Sequence, residues 1–384
     1  MKSYLLTVAA ILGLTCILHD TARAEIDYGN LSWSVQYMID QSQTVLGVNQ
    51  FDTPRNNRGL ALSPDNQYLY AGYNNTDSGY CVRKIDLSQP DYTDATLVNL
   101  VGVSRGKAIG VDDVGRVYLG DSTAIKIYDA NLSSLQYTLS ITGGALEGID
   151  LVRDGGQLVL YNSDRNSGNL SKWLLTESGG SITGAALDTS FGSSGAVSLA
   201  GNIRGVEVDP TGRIWVAGRG TNSVYVVAGD GSSYSTISGV NTPLDIGFDG
   251  NTALVTTEYN LNIKRYSISD LSSAGSDLVP PLSALELTAT PLTGGPGAID
   301  YIAVAPGLGF YLSGDGINTA GEKSTYGRID GESGWSGGKF YTDLTHDDND
   351  AILFVTPEPC ILILFATGVT ILLMARVMRR RVAG

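Results

Sequence analysis

The chain has 384 residues, of which 42% are hydrophobic and 17% are charged, and its formal net charge is −14. That length is sufficient for one large domain or two smaller ones with a substantial core. The acidity argues against binding to nucleic acid or anionic lipid, which would need a local basic patch that is not evident. The 48 glycines and 20 tyrosines favour many tight turns and many strands, and therefore an all-β fold.

The N-terminus has the pattern of a secretory signal peptide. Lys2 supplies the positive charge, and residues 5–18 form the apolar segment that follows it. Small residues at Ala22 and Ala24 then precede a cleavage site before Glu25. The pattern predicts an N-terminal signal helix over residues 1–24, export through the secretion translocon and removal of the segment.

Cysteine is scarce, with Cys16, Cys81 and Cys360 spread along the chain. Only Cys81 lies between the two apolar terminal segments, so the sequence predicts no internal disulfide and no cysteine metal cluster there. Cys16 follows Leu14 and Thr15, which leaves a lipoprotein signal open as an alternative, although Gly, Ala or Ser is expected at the position of Thr15.

The middle of the chain repeats one short pattern, which residues 204–227 show best. Two alternating runs, 205–208 and 213–217, flank the turn Asp-Pro-Thr-Gly at 209–212, and a third run follows at 223–227. Proline and glycine favour tight reversal, and alternation of apolar and polar residues is typical of strands. Each unit is therefore predicted to be an antiparallel meander.

Six such units can be superposed on the apolar residue that ends the first strand of each. These residues are Leu62, Val111, Leu151, Val208, Phe248 and Val304. Their spacing varies between 40 and 57 residues, which favours a β-propeller with loops of unequal length over a solenoid with an even period. We expect one propeller domain over residues 25–355, with six blades that are four-stranded antiparallel meanders.

The N-terminal part of this domain is harder to assign. Residues 26–54 could form a seventh, degenerate blade, and this alternative stays open. We expect instead that this stretch supplies a strand that pairs with residues 339–344 or 351–355, because such pairing closes the ring and removes exposed sheet edges.

Two of the units resemble a known repeat family. Residues 106–129, GKAIGVDDVGRVYLGDSTAIKIYD, and residues 204–227, RGVEVDPTGRIWVAGRGTNSVYVV, resemble the NHL repeat of six-bladed propellers. The shared pattern is an apolar residue, Asp, two variable residues, Gly, one further residue, and then an apolar and an aromatic residue. The unit at Leu62 matches less well, and the other three match only in their order of strands.

The C-terminus combines three features in a fixed order. Thr356 and the sequence Pro357-Glu358-Pro359 precede sixteen uncharged residues at 360–375. A basic cluster follows, made up of Arg376, Arg379, Arg380 and Arg381. As a helix, sixteen residues extend about 24 Å, somewhat less than the ~30 Å hydrocarbon core. We expect this segment to form a transmembrane helix. The arginines that follow it should stay on the cytoplasmic side, which places the propeller outside the cell.

Residues 356–384 resemble the PEP-CTERM sorting signal of Gram-negative bacteria. The resemblance implies that an exosortase-type membrane protease recognises Pro357, Glu358 and Pro359, with the arginines completing the signal. It also implies a protein held in the membrane by its C-terminal helix until processing, and found afterwards at the cell surface or in the extracellular matrix. Thr356 departs from the valine usual in that position. An ordinary membrane anchor remains the alternative.

One set of charged residues emerges from the superposition of the repeats. The positions four residues before the six anchors are Arg58, Lys107, Glu147, Arg204, Leu244 and Asp300. In a propeller these positions surround the mouth of the central channel. They could bind an anionic sugar or peptide group through Arg58, Lys107 and Arg204, or they could neutralise one another around water.

The sequence favours binding or scaffolding, with a polysaccharide or protein ligand, over catalysis, and it leaves enzymatic activity uncertain. The only histidines are His19 and His346, which argues against a Ser-His-Asp hydrolase. Similarity to NHL-like propellers implies one alternative, a Ca²⁺-dependent lactonase-like hydrolase of sugar acids. The candidate Ca²⁺ ligands by this fold analogy are Glu147, Asn162, Asp245 and Asp300. No cofactor other than Ca²⁺ is suggested.

Overall fold

The computed structural model describes most of the middle of the chain. The ranges are 59–75, 79–87, 97–103, 106–142, 144–258, 263–272, 275–278, 301–306 and 309–313, with short strands at 32–33, 44–45, 48–49, 329–330 and 352–353. Within these ranges the only helix is a single 3₁₀ turn, Arg219–Thr221, and no helix is long and apolar enough to cross a bilayer.

Five antiparallel meanders follow one another along the chain. Blade 1 consists of Leu60–Leu62, Tyr68–Asn75, Gly79–Asp86 and Leu97–Val103. Blade 2 consists of Ile109–Val111, Val117–Asp121, Ala124–Tyr128 and Leu135–Ser140. Blade 3 consists of Leu146–Asp154, Gln157–Asp164, Asn169–Ser178 and Ser181–Leu187, and a short extra strand, Ala196–Ser198, pairs with the third of these.

Blades 4 and 5 repeat this arrangement. Blade 4 consists of Ile203–Val208, Ile214–Gly218, Ser223–Val227 and Tyr234–Ser238. Blade 5 consists of Pro243–Asp249, Thr252–Thr257, Ile263–Ser267 and Ser276–Leu278. A further sheet, which we call sheet 6, has only three strands, Tyr301–Ala305, Gly309–Ser313 and Ile352–Leu353.

The first strands of these six sheets form a closed ring. Each first strand, which we call the inner strand, contacts the inner strand of the next sheet, and that of sheet 6 contacts that of blade 1. Sheets arranged radially in this way around an axis are a β-propeller. The fold class is therefore confirmed. The expected number of four-stranded blades is wrong, since the described residues form five, and the sixth inner strand belongs to the three-stranded sheet.

The predicted closure also differs from the structure. The strand at 352–353 pairs with Tyr311 and Leu312 of sheet 6 and so adds to that sheet. Ser32–Trp33 pairs with Ile329–Asp330, and not with 339–344 or 351–355 as expected. The geometric reason is that Gly309–Ser313 presents an edge directly, so the last short strand extends a sheet that is already formed.

The repeated turn explains why Asp, Gly and an aromatic residue recur. In blade 4 the Asp209 carboxylate accepts hydrogen bonds from the backbone N–H of Thr211 at 2.8 Å and of Arg213 at 3.1 Å. It also accepts one from Trp215 Nε1 at 2.9 Å. Gly212 occupies the left-handed region with φ +84°, which only glycine adopts without strain. One side chain therefore organises the turn and positions the aromatic ring.

Blade 2 contains the same network with tyrosine in place of tryptophan. Asp112 accepts hydrogen bonds from the backbone N–H of Arg116 at 2.9 Å and from Tyr118 Oη at 2.9 Å. In blade 1 a hydroxyl replaces the carboxylate, because Ser63 Oγ accepts the backbone N–H of Tyr68 at 2.9 Å. Asn66, with φ +57°, takes the left-handed position there.

The hydrophobic core lies between blades. Separate clusters of buried side chains fill the spaces between blades 1 and 2, 2 and 3, 3 and 4, and 4 and 5, and another joins sheet 6 to blade 1. Trp215, fully buried on blade 4, meets Phe248 of blade 5 edge-on at 5.5 Å between ring centroids. Because the core lies between neighbouring sheets, closing the ring from sheet 6 to blade 1 adds to it.

Candidate functional site

The central channel contains two adjoining cavities. The smaller, about 40 Å³, is lined by residues at the start of the inner strands, among them Lys107, Glu147 and Tyr301. The larger, about 520 Å³, is lined by the ends of the inner strands and by the turns that follow, including Ser63, Asn66 and Pro306. Its size falls within the range typical of small-molecule sites.

Six residues line both cavities, and each inner strand contributes one of them. We call this set the collar. Its members are Leu60, Ile109, Ile149, Glu207, Ile246 and Ile302. Five are aliphatic, so Glu207 is the one ionisable residue in the collar.

Charged side chains gather at the start of the channel around Glu147. Its side chain is 0% exposed, and its Oε2 lies 2.6 Å from Arg204 Nη1 and 3.5 Å from Lys107 Nζ. Its Oε1 lies 3.5 Å from Arg165 Nη1. We call this group the mouth cluster. The structure thus brings together three of the predicted channel-mouth residues. Lys107 and Arg204 both point at the carboxylate of Glu147.

The remaining predicted positions at this level are placed as follows. Leu244 is buried in the inner strand of blade 5. Arg58 and Asp300 lie outside the described residues. A residue that the repeats did not reveal, Arg165, completes the mouth cluster from the loop after the second strand of blade 3.

Two aspartates also connect neighbouring inner strands, Asp245 beside the smaller cavity and Asp150 beside the larger one. Asp150 Oδ2 of blade 3 accepts the backbone N–H of Val208 in blade 4 at 2.8 Å. Asp245 Oδ2 of blade 5 accepts the backbone N–H of Ile302 in sheet 6 at 3.1 Å. Each bond ties one sheet to the next beside the channel axis.

Burial makes these two aspartates weaker acids than usual. It raises the pKa of Asp150 and of Asp245 to about 7 in each case, because loss of water disfavours the charged form more than the backbone N–H groups favour it. Burial also raises the pKa of Glu207 well above its ordinary value, and the nearby charges of Asp150 and Asp245 raise it further. The three carboxyls thus form a proton-holding group, which we call the acidic level.

The three candidate Ca²⁺ ligands that the structure describes do not converge, and the fourth, Asp300, lies outside the described residues. Asn162 is on the second strand of blade 3, where its Oδ1 accepts a hydrogen bond from Trp173 Nε1 at 2.8 Å, and it lines neither cavity. Glu147 and Asp245 both line the smaller cavity, but Glu147 pairs with the basic groups of the mouth cluster and Asp245 accepts the backbone N–H of Ile302. In the part of the chain that the structure describes, no three His, Cys, Asp or Glu side chains are grouped closely enough to hold a metal ion.

The repeats did not reveal Asp150 or Glu207, although the sequence carries a signal for both. Each is a charged residue between two aliphatic ones, in Ile149-Asp150-Leu151 and Val206-Glu207-Val208. A carboxyl inside a buried strand is costly unless it is hydrogen-bonded, paired or protonated. Such interruptions would have pointed to the channel.

The proposed signal peptide, the PEP motif, the apolar segment and the arginine cluster, at 1–24 and 356–384, all lie outside the described residues.

Comparison with known proteins bears on the shape of the molecule alone. No family model matches the chain, and no curated protein matches it. Solved structures of similar shape include a chain of a nidogen/laminin complex, with 13% identity and a TM-score of 0.46, covering 66% of this chain and 94% of that one. The structure of U3-55K has 13% identity and a TM-score of 0.47, and the match covers 87% of this chain and 86% of that one. The WD40 repeats of RRP9 have 12% identity and a TM-score of 0.46, and the match covers 84% of this chain and 86% of that one. At these values the similarity carries no information on ligand or partner.

Proposed function

We propose that this chain is an exported binding or scaffolding propeller of the PEP-CTERM type, which acts at the cell surface in association with extracellular polysaccharide. The repeats are NHL-like in this proposal, and an exosortase-type protease and the secretion translocon are its processing partners. The propeller itself is a scaffold or binding domain.

The binding part of the proposal is supported by the channel. Rigid sheets on all sides hold a cavity of about 520 Å³ open at the axis, and such concave sites are where proteins usually bind small ligands. The mouth cluster is compensated internally, which favours the interpretation that its charges neutralise one another. Catalysis gains no support from the placement of Glu147, Asn162 and Asp245.

The export part is supported by the order of the terminal segments. A positive, apolar and small-residue N-terminus, combined with Pro357-Glu358-Pro359, an apolar stretch and four arginines, is an arrangement that a sorting protease could read in sequence.

The test is mass spectrometry of the C-terminus in cells that contain an exosortase. We expect the released wild-type protein to end near Pro357, and a variant with Pro357→Ala, Glu358→Ala and Pro359→Ala to stay in the membrane fraction with Arg381 intact. Thr356→Val is the matched control, because it restores the usual residue and should leave release unchanged. Wild-type protein that keeps Arg381 in the membrane fraction would show an ordinary anchor instead.

A further inference from the structure

Glu207 is the least satisfied carboxyl in the channel. Protein atoms surround its carboxyl group, and the area that the residue still exposes faces the two cavities. In the described part of the chain it accepts no hydrogen bond and forms no ion pair, whereas Asp150 and Asp245 each accept a backbone N–H from the neighbouring sheet. A carboxyl that faces a cavity and has no protein partner there is available to a ligand.

The surroundings of Glu207 favour a positively charged occupant. The charged residues that line the large cavity in the described structure are Asp150 and Glu207, and both are acidic. Of the other charged groups near the collar, Asp245 adds negative charge, and the three basic side chains at the mouth are directed at Glu147, namely Lys107, Arg165 and Arg204. Nothing on the described wall of the large cavity therefore compensates Glu207.

The occupant is expected to be organic rather than a bare metal ion. The described residues offer no group of three metal-ligating side chains, and four of the five residues beside Glu207 in the collar are isoleucine. A collar of aliphatic side chains with one carboxyl suits an ammonium group on a short hydrocarbon chain. The ammonium group can pair with the carboxyl while the hydrocarbon chain contacts the aliphatic side chains.

We propose that the large cavity binds a small organic cation, whose ammonium group pairs with the Glu207 carboxylate while its hydrocarbon chain contacts the collar. Asp150, which lines the same cavity, supplies a second carboxyl for a ligand with two amines. This inference rests on the binding part of the proposed function and is independent of export and sorting.

Binding of such a cation displaces a proton from the site. Without ligand, burial and the repulsion from Asp150 and Asp245 keep the pKa of Glu207 well above its ordinary value. An ammonium group must therefore exchange for the proton that Glu207 holds. Affinity should rise with pH by about tenfold per pH unit as long as Glu207 is protonated in the free protein.

The test is calorimetric titration of the purified full chain in detergent with 1,4-diaminobutane at pH 6, 7 and 8, in two buffers of different ionisation enthalpy. We expect saturable binding, proton release and an affinity that rises with pH. Glu207→Gln should weaken binding at least tenfold and lower the number of protons released by about one, because the second ammonium group still pairs with Asp150. This variant should fold, because the amide resembles the protonated carboxyl, and circular dichroism checks that it does.

Two controls isolate the charge and the site. Asp230→Asn removes an exposed carboxylate in a turn outside the channel and should bind as the wild type does. 1,4-Butanediol has the same length without charge and should not bind. Absence of diamine binding to the wild type, equal affinity of Glu207→Gln, or equal binding of the diol would each overturn the proposal. None of these outcomes would alter the processing near Pro357 that tests the sorting proposal.

Discussion

The channel holds two buried carboxyl groups on neighbouring blades that have opposite surroundings. Glu147 at the mouth has three basic groups within 3.5 Å, the nearest being Arg204 at 2.6 Å. Glu207 in the collar has two further carboxyls as its charged neighbours. The difference shows that position along the axis, rather than residue type, decides whether a channel carboxylate is neutralised by the protein or left for a proton or ligand.

The two environments also differ in what they connect. Within the mouth cluster, Lys107 comes before blade 2, Glu147 and Arg165 belong to blade 3, and Arg204 belongs to blade 4, so ion pairs link three consecutive sheets. At the acidic level, the links are hydrogen bonds from backbone N–H groups to Asp150 and Asp245. The mouth therefore depends on charge balance, whereas the acidic level depends on protonation.

The largest expected effect comes from breaking the charge balance at the mouth. Glu147→Leu leaves Arg204, whose side chain is 11% exposed, without its nearest counter-charge. Removal of one partner from a buried ion pair typically costs about 3–5 kcal/mol, and we expect the free energy of unfolding in urea to fall by that amount.

The double variant Glu147→Leu with Arg204→Met is the control for this prediction. It also removes the charge of Arg204, which the single variant leaves largely buried without its nearest partner. The double variant should therefore recover part of the lost stability. A single variant with a loss below about 1 kcal/mol would mean that the mouth cluster behaves as a surface ion pair.

An intermediate effect is expected from pH at the acidic level. Because folding raises the pKa values of Asp150 and Asp245 from 3.8 to about 7, the folded protein holds more protons than the unfolded chain between these two pH values. The stabilisation is complete below pH 4 and is lost as the pH rises through 7. We expect each of the two aspartates to lower the free energy of unfolding by about 2–3 kcal/mol between pH 5 and pH 8.

Asp150→Asn separates this effect from the titration of other groups. The amide cannot ionise, so the variant should be close to the wild type at pH 5 and more stable than the wild type at pH 8, as measured by urea unfolding at both values. Asp245→Asn should behave alike. If the free energy of unfolding of the variant falls with pH as much as that of the wild type, the group that titrates is not this aspartate.

Much of the fold could be predicted from the sequence because the turns carry their own chemistry. Asp209 and Gly212 determine a turn through local hydrogen bonds and backbone conformation, and the strand at 223–227 lies where the alternation predicts it. All six anchor residues lie in inner strands. The number of complete blades could not be predicted in this way, because a superposition of first strands counts sheets and not their strands.

The channel was harder to predict because the register shifts along the inner strands. Irregular pairing occurs between Leu146 and Gly148, between Ile203 and Val206 and between Pro243 and Ile246. A fixed count back from each anchor still reached Glu147 and Arg204. It could not show that Glu207 joins the collar, since that depends on how six strands meet in space.

The smallest expected effect concerns the outer members of the mouth cluster. Lys107 is 3.5 Å from Glu147 and its side chain is 19% exposed, and Arg165 is at the same distance with 35% exposure. Exposed and distant charges are screened by water and salt. Lys107→Ala and Arg165→Ala should therefore each lower the free energy of unfolding by less than about 1 kcal/mol, and the loss should shrink in 0.5 M sodium chloride. A loss from Lys107→Ala as large as that from Glu147→Leu, and insensitive to salt, would show that the charge of Glu147 is shared equally among its partners and does not depend chiefly on Arg204.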